Sequence, residues 1–356
     1  AALLDFDIRW LWPSAQAEGA LCSCPVTAEA LTGALHALAQ QGIEPFGVYV
    51  TSPDYLGGVQ DIPAMAAVCR AQGVPLLVDN AHGAYLRFLP QNCHPIAQGA
   101  AMCCDSAHKT LPVVTGGAYL HLAHDAPVQD EAAVRGALAL FGSTSPSYLI
   151  LQSLDACNAV LAGDYPRRLA QCCAALEGLR SSLNKTAAAR QCPLPLAVAG
   201  AQQEPMKLTL DAAALGCTGT ALAEALRRAQ MECEYADPRY VVLMFTPENP
   251  PQDYTRLQTA LEQLLAAVPA GLPRPENRAG EFAALQQQAV QRCTIRQAVL
   301  GAQVRVPVHK ALGRVCAMPT VSCPPAIPVA VSGEEITPAA IVLMQRYGIE
   351  ELSVLR

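Results

Sequence analysis

Three short runs that are apolar on both faces, separated by helical segments, constrain this chain most. Pro75-Leu76-Leu77-Val78-Asp79 shows no alternation of polar and apolar residues, and neither does Phe46-Gly47-Val48-Tyr49-Val50 or Ala101-Met102-Cys103-Cys104. Strands of this kind belong in a parallel sheet with helices on its faces, so the expected class is α/β. The helices lie between them. Thr27 to Gln41 has a capping threonine, Glu29 near the first turn, and Leu31, Leu35 and Leu38 at helical spacing. Ile62 to Gln72 is closed by Gly73. Phe6 to Trp12, ended by Pro13, and Ala118 to Leu122 read as further strands.

The pattern changes downstream. Val128 to Phe141 and Tyr148 to Asn184 read as helices, the second leading out of the first unit. Lys207 to Leu210 alternates like a half-exposed strand, Thr218 to Gln230 is a capped helix, Tyr240 to Phe245 a strand, and Asp253 to Ala267 a helix. Val268 to Glu281 is rich in Pro and Gly and reads as a linker. The expected domains are 1–160, a large α/β domain, 161–270, a small α+β domain, and 271–356, a C-terminal domain.

A chain of 356 residues with 52% apolar and 15% charged content can bury a large core. A net charge of -6 leaves no footprint for nucleic acid, and no polybasic run suits a membrane surface. No apolar run approaches the ~18 residues of a membrane helix. Fifteen cysteines include no C-x-x-C pair, so they read as small buried hydrophobes of a reducing cytosol. His121 and His124 follow a strand without partners at metal-ligand spacing, so no metal site is expected.

Two strand ends carry the chemistry. The chain has four lysines against twenty arginines, and one of the four is Lys109, in Asp105-Ser106-Ala107-His108-Lys109-Thr110-Leu111. Arginine, always protonated, cannot replace a lysine that must bond covalently to an aldehyde. Asp79 ends its apolar strand, where ligands of open α/β sheets bind. Asp79 alone reads better as a turn cap. An amine to hold an aldehyde, and a carboxylate to keep a pyridine nitrogen protonated, together are what a pyridoxal phosphate enzyme needs. Ser106 and His108 are donors suited to its phosphate, and Ala81 is small and faces the same side as Asp79.

Val78-Asp79-Asn80-Ala81-His82-Gly83-Ala84 with Ser106-Ala107-His108-Lys109-Thr110-Leu111 resembles the Orn/Lys/Arg decarboxylase family, of the aspartate aminotransferase (type I) fold. Thr51-Ser52-Pro53-Asp54-Tyr55, Gly142 to Tyr148, and Pro324-Pro325-Ala326-Ile327-Pro328 with Ser332-Gly333-Glu334 extend the resemblance over most of the chain. The resemblance implies a pyridoxal 5'-phosphate cofactor and decarboxylation of arginine, lysine or ornithine to the amine and CO2. It implies a homodimer or higher homo-oligomer. It assigns Lys109, Asp79, Ala81, Ser106 and His108 to the cofactor, with Thr144 or Ser145 reaching it across a dimer. His82 is a candidate beside cofactor or substrate carboxylate, and Glu334 a candidate at the substrate end. Asn80 stands where the family usually has Glu, Ala107 for Thr, Ala326 for Gly and Ser332 for Pro.

The family's segment ahead of Phe6, with its phosphate-holding loop and ring-stacking histidine, has no counterpart in this sequence. An N-terminally truncated chain is therefore expected, with one sheet face lacking helices and weakened cofactor binding. The alternatives are an aminotransferase of the same fold, with Arg239 as its carboxylate clamp, and an inactive truncated or non-catalytic subunit. Glu234 and Asp237 are weaker candidates for a cationic substrate tail.

Overall fold

The computed structural model describes residues 2–13, 20–143, 145–200, 202–269, 271, 273, 279–318 and 328–356. Thr27 starts the first helix as expected: its hydroxyl accepts from Ala30 N, and α1 runs Ala28–Gln40. The Asp61 carboxylate caps α2 (Ile62–Ala71) in the same way. The strands β1 (Val48–Thr51), β2 (Leu76–Asp79), β3 (Met102–Asp105) and β4 (Tyr119–Leu122) form one sheet in that order. The first three are parallel and β4 is antiparallel to β3. The β3–β4 connection holds only the one-turn α3 (Ala107–Thr110), too short to carry the chain across the sheet.

Side-chain alternation gives this sheet two different faces. Val48, Val50, Leu76, Val78 and Cys103 pack under Leu31 and Leu35 of α1 and Ile62, Met65 and Cys69 of α2. The opposite face carries Tyr49, Leu120 and Leu122, which are exposed, and among the described residues no helix core covers it. The stretch Phe6 to Trp12 is not a strand. Two of its apolar residues find separate partners: Phe6 stacks on Phe46 with ring centroids 5.3 Å apart, and Leu11 packs on the α1–α2 core.

Next come α4 (Glu131–Phe141), α5 (Tyr148–Ala162) and α6 (Tyr165–Ala189). The single helix expected over 148–184 is broken, because Gly163 ends α5 and Pro166 sits in the first turn of α6. Leu169, Cys172, Leu176, Leu179 and Leu183 recur every three to four residues on α6 and are buried. They join the main core with Leu257, Leu261 and Leu265 of α8 (Pro251–Ala267).

A second, antiparallel sheet has the order β5 (Lys207–Asp211), β7 (Tyr240–Met244), β6 (Tyr235–Ala236), with α7 (Gly219–Arg228) packed on it. β5 is buried throughout, not half-exposed as its alternation suggested. Its polar residues find backbone partners: Lys207 Nζ donates to Asp54 O at 2.9 Å and Thr209 Oγ1 to Leu56 O at 2.7 Å.

The chain continues through α9 (Ala279–Gln288), α10 (Ile295–Leu300), β8 (Gln303–Pro307), α11 (Pro338–Arg346) and β9 (Glu351–Leu355). β8 and β9 pair antiparallel over their own core, which includes Val308, Cys316, Ile336, Leu343 and Val354. Among the described residues no helix is long and apolar enough to cross a membrane.

Candidate active site at the carboxyl ends of β2 and β3

β2 and β3 end side by side, with Asp79 opposite Cys104, and Asn80 N extends the ladder to Cys104 O at 2.9 Å. Two segments leave this edge: Asn80 to Gly83, and Ser106 into α3. The Asp79 carboxylate is held at both oxygens. Ala81 N donates to Oδ1 at 3.1 Å and the Tyr49 hydroxyl to Oδ2 at 3.1 Å. Tyr49 escaped the sequence reading. Its signal was its place on β1, two residues before Thr51, which pairs with Asp79 and so shares its face.

Lys109 meets His82 across this edge, Nζ to Nε2 at 3.3 Å. His82 is buried, and burial first, then the charges of Lys207 and Lys109, push its pKa down to about 2. The imidazole is therefore neutral and its Nε2 accepts from the Lys109 ammonium. Its hydrogen is then on Nδ1, a buried atom with no hydrogen-bond partner. The Tyr55 ring meets His82 edge-on at 5.0 Å, and Lys207 Nζ lies 5.6 Å from the Tyr55 ring centre. Lys207 was not singled out from sequence. Its only signal was its rarity, as one of four lysines in the chain.

Ser106 caps α3 by position but makes no side-chain cap bond. His108 is fixed by Nδ1 donating to Gly117 O at 2.9 Å. Neutral His108 thus offers Nε2 as an acceptor, and donates from it only when protonated. Ala81 is half-buried beside Asp79. Ser145 is exposed, in a turn closed by its N–H on Ser143 Oγ at 3.1 Å, and Thr144 lies outside the described residues.

Glu334 is buried in the C-terminal unit, where Oε2 accepts from Val331 N at 2.8 Å and closes its own turn. No contact brings it to Lys109 among the described residues, and Pro324 to Ile327 lie outside them. Glu234 does reach the site's surroundings: Tyr55 OH donates to its Oε1 at 2.8 Å. Asp237 instead anchors a turn, accepting from Arg239 N at 2.7 Å and Tyr240 N at 2.6 Å. Arg239 is held by Asp211 with contacts of 2.7 to 3.2 Å.

The reading of His121 as a histidine without ligand-type partners is overturned. His121 Nε2 donates to Asp105 Oδ2 at 2.9 Å, and His94 Nε2 reaches the same oxygen at 3.1 Å. Cross-strand and loop contacts created this grouping, which linear spacing did not reveal. Burial pushes the Asp105 carboxyl up, but hydrogen bonds from His121, His94 and Asn80 outweigh it and hold it well below the usual range.

Comparison with known proteins places these motifs in a family. The profile of the Orn/Lys/Arg decarboxylase major domain matches residues 10–202. An uncharacterised protein of Bacillus subtilis is 28% identical over 308 residues, 84% of this chain and 61% of its own length. An arginine decarboxylase of Bacillus subtilis is 27% identical over 297 residues, 82% of this chain and 59% of its own. The chain thus spans about three fifths of the length of these relatives. Among solved structures, the lysine decarboxylase of Francisella novicida aligns with TM-score 0.71 and 18% identity, over 98% of this chain and 63% of that one. The constitutive lysine decarboxylase of E. coli aligns with TM-score 0.65 and 18% identity, over 93% and 61%. An alanine–glyoxylate aminotransferase of Nostoc aligns over 68% of this chain and 66% of that one, with TM-score 0.51 and 18% identity. The fold is the type I pyridoxal-phosphate transferase fold, mixed α/β with a mostly parallel sheet.

Proposed function

This chain belongs to the Orn/Lys/Arg decarboxylase family, and on that premise we propose that it carries the catalytic edge of a pyridoxal-phosphate enzyme that decarboxylates a basic amino acid. One observation carries the reading: Lys109 Nζ sits on a neutral, buried His82 at the same sheet edge where Asp79 is held at both oxygens. The residues fit the cofactor. The buried Nδ1 of His82 lacks a partner, and Ser106 keeps its hydroxyl out of the helix cap, so polar groups stand ready for a ligand.

Lys109 would hold the cofactor covalently through Nζ, and Asp79 would face its ring nitrogen and keep the proton there. Bound in this way, pyridoxal phosphate supplies a sink for the electron pair left when the α-carboxylate departs as CO2. His82 would act as an acceptor that aims the Lys109 amine, since a group titrating near pH 2 stores no proton at neutral pH. Ser106 and His108 would contact the phosphate, Ala81 would leave room for the ring, and Thr144 or Ser145 would approach from a second copy.

For the cationic tail of arginine, lysine or ornithine we favour Glu234 over Glu334. Tyr55 links Glu234 to the His82 ring, whereas Glu334 closes a turn in another core. The aminotransferase reading loses its clamp, because Asp211 already neutralises Arg239. The test is CO2 release from the three amino acids. Turnover of at least one, abolished in Lys109→Ala, is expected. Glu234→Gln should raise KM for the cationic substrate much more than it lowers kcat. Undiminished CO2 release in Lys109→Ala would refute the assignment.

A further inference from the structure

On the sheet face turned away from Asp79, three donor atoms converge. Asp105 extends from β3, and His121 on β4 stands opposite Cys103, so alternation puts both side chains on the same face. His94 joins them from the N-cap of the 3-10 turn Pro95–Gln98. The two imidazole Nε2 atoms and one Asp105 oxygen lie within 4.8 Å of one another. They form part of the wall of a cavity of about 550 Å3 that also includes Tyr119, Arg87 and Asn158. We propose that His94, Asp105 and His121 form a binding site for a divalent first-row metal ion, zinc by preference, with its remaining position open to this cavity.

Two imidazoles and a carboxylate are a donor set that zinc and its neighbours accept. Ligands at about 2.0 to 2.1 Å from a tetrahedral ion sit ~3.3 Å apart. The present contacts of 2.9 and 3.1 Å to Asp105 Oδ2 need only a few tenths of an ångström of opening to receive it. The support of a ligating carboxylate is already in place, because Asn80 Nδ2 donates to the other oxygen at 2.8 Å. Asp105 and His94 are buried, while the His121 side chain is 38% exposed and gives the ion a path.

The hydrogen balance closes without net proton release from the rings. In the ion-free protein His94 Nδ1 accepts from Ile96 N at 3.3 Å, so Nε2 carries the hydrogen and donates to Asp105. On binding, the Nε2 hydrogens of His94 and His121 both move to Nδ1 through solvent, and each Nε2 turns its lone pair to the ion. The losses are the long Ile96 contact and the two imidazole hydrogen bonds to Asp105, which bonds to the ion replace. The rival account is a purely structural hydrogen-bond network around Asp105.

The experiment is titration of chelator-treated, reduced protein with Zn2+ against a chromophoric competitor, and with Co2+ followed by visible absorbance. Fourteen free cysteines among the described residues would bind ions as well, so variants decide the outcome. His121→Gln, at the exposed ligand, should remove one equivalent of Zn2+ and weaken that site by about a hundredfold or more. Cys103→Ser should retain it. Co2+ should give visible bands of a nitrogen and oxygen site that vanish in His121→Gln, with no accompanying thiolate band in the near ultraviolet. Equal stoichiometry and affinity in the parent and His121→Gln, or Co2+ bands of thiolate type alone, would overturn the site. His94→Gln is the second variant, and its loss of the same equivalent with an unchanged circular dichroism spectrum separates ligation from folding.

Discussion

His82 carries the most informative chemistry at the scale of single residues. Burial and two lysine charges keep it neutral, with its folded pKa far below the unfolded value near 6.5. Below that pH the unfolded chain takes up a proton that the folded chain refuses, so stability falls as pH drops and is unaffected above it. The predicted loss is roughly 1.4 kcal/mol per pH unit below about pH 6.5. Urea unfolding at pH 7 and pH 5 should show a smaller drop in His82→Gln than in the parent. The same drop in both would place His82 outside the buried, neutral state described here. A second prediction concerns Tyr49, whose hydroxyl holds Asp79. Tyr49→Phe should weaken pyridoxal phosphate binding by about tenfold, the worth of one hydrogen bond to a charged group. Absorbance titration measures it, and unchanged affinity would remove Tyr49 from the site. Lys109 and Asp79 could be proposed from sequence because strand-end position and lysine scarcity are local signals. Tyr49 and Lys207 left only faint local signals, and the Asp105 cluster none, because each gains its meaning from a partner on another strand or loop.

At the scale of elements, spacing and end signals foretold α1, α2 and α7 well, since both are properties of nearby residues. The stretch Phe6 to Trp12, read as a strand ended by Pro13, misled because a strand needs a neighbour to pair with and no local pattern supplies one. β5 misled in the opposite sense: Lys207 and Thr209 looked like a wet face, yet both bond to the carbonyls of 54 and 56 and are buried. The α5–α6 break was written in Gly163 and Pro166. α6 supplies much of the main core, and Leu176 at its centre is fully buried. Leu176→Ala should cost about 2 to 5 kcal/mol, by lost burial and the cavity left behind. A shift in urea midpoint too small for 1 kcal/mol would show that α6 is less firmly seated than its burial indicates.

At the scale of the whole molecule, the exposed apolar residues gather on α4 and the start of α5. Leu138, Leu140, Phe141, Tyr148, Leu149 and Leu151 are all exposed, and no residue of α4 is buried. A patch of this kind marks an association surface, and the proposed homo-oligomer would use it. Leu140→Glu with Phe141→Glu should reduce the mass in solution measured by light scattering, and an unchanged mass would assign the surface another role. Lys109 is proposed as the residue that holds pyridoxal phosphate. The direct measurement is borohydride reduction of protein incubated with pyridoxal phosphate, followed by proteolysis and peptide mass spectrometry. The expected result is a pyridoxyl mass on the peptide containing Lys109, absent from the Lys109→Ala variant. A pyridoxyl mass on Lys185, Lys207 or Lys310 instead, or on no specific lysine, would contradict it.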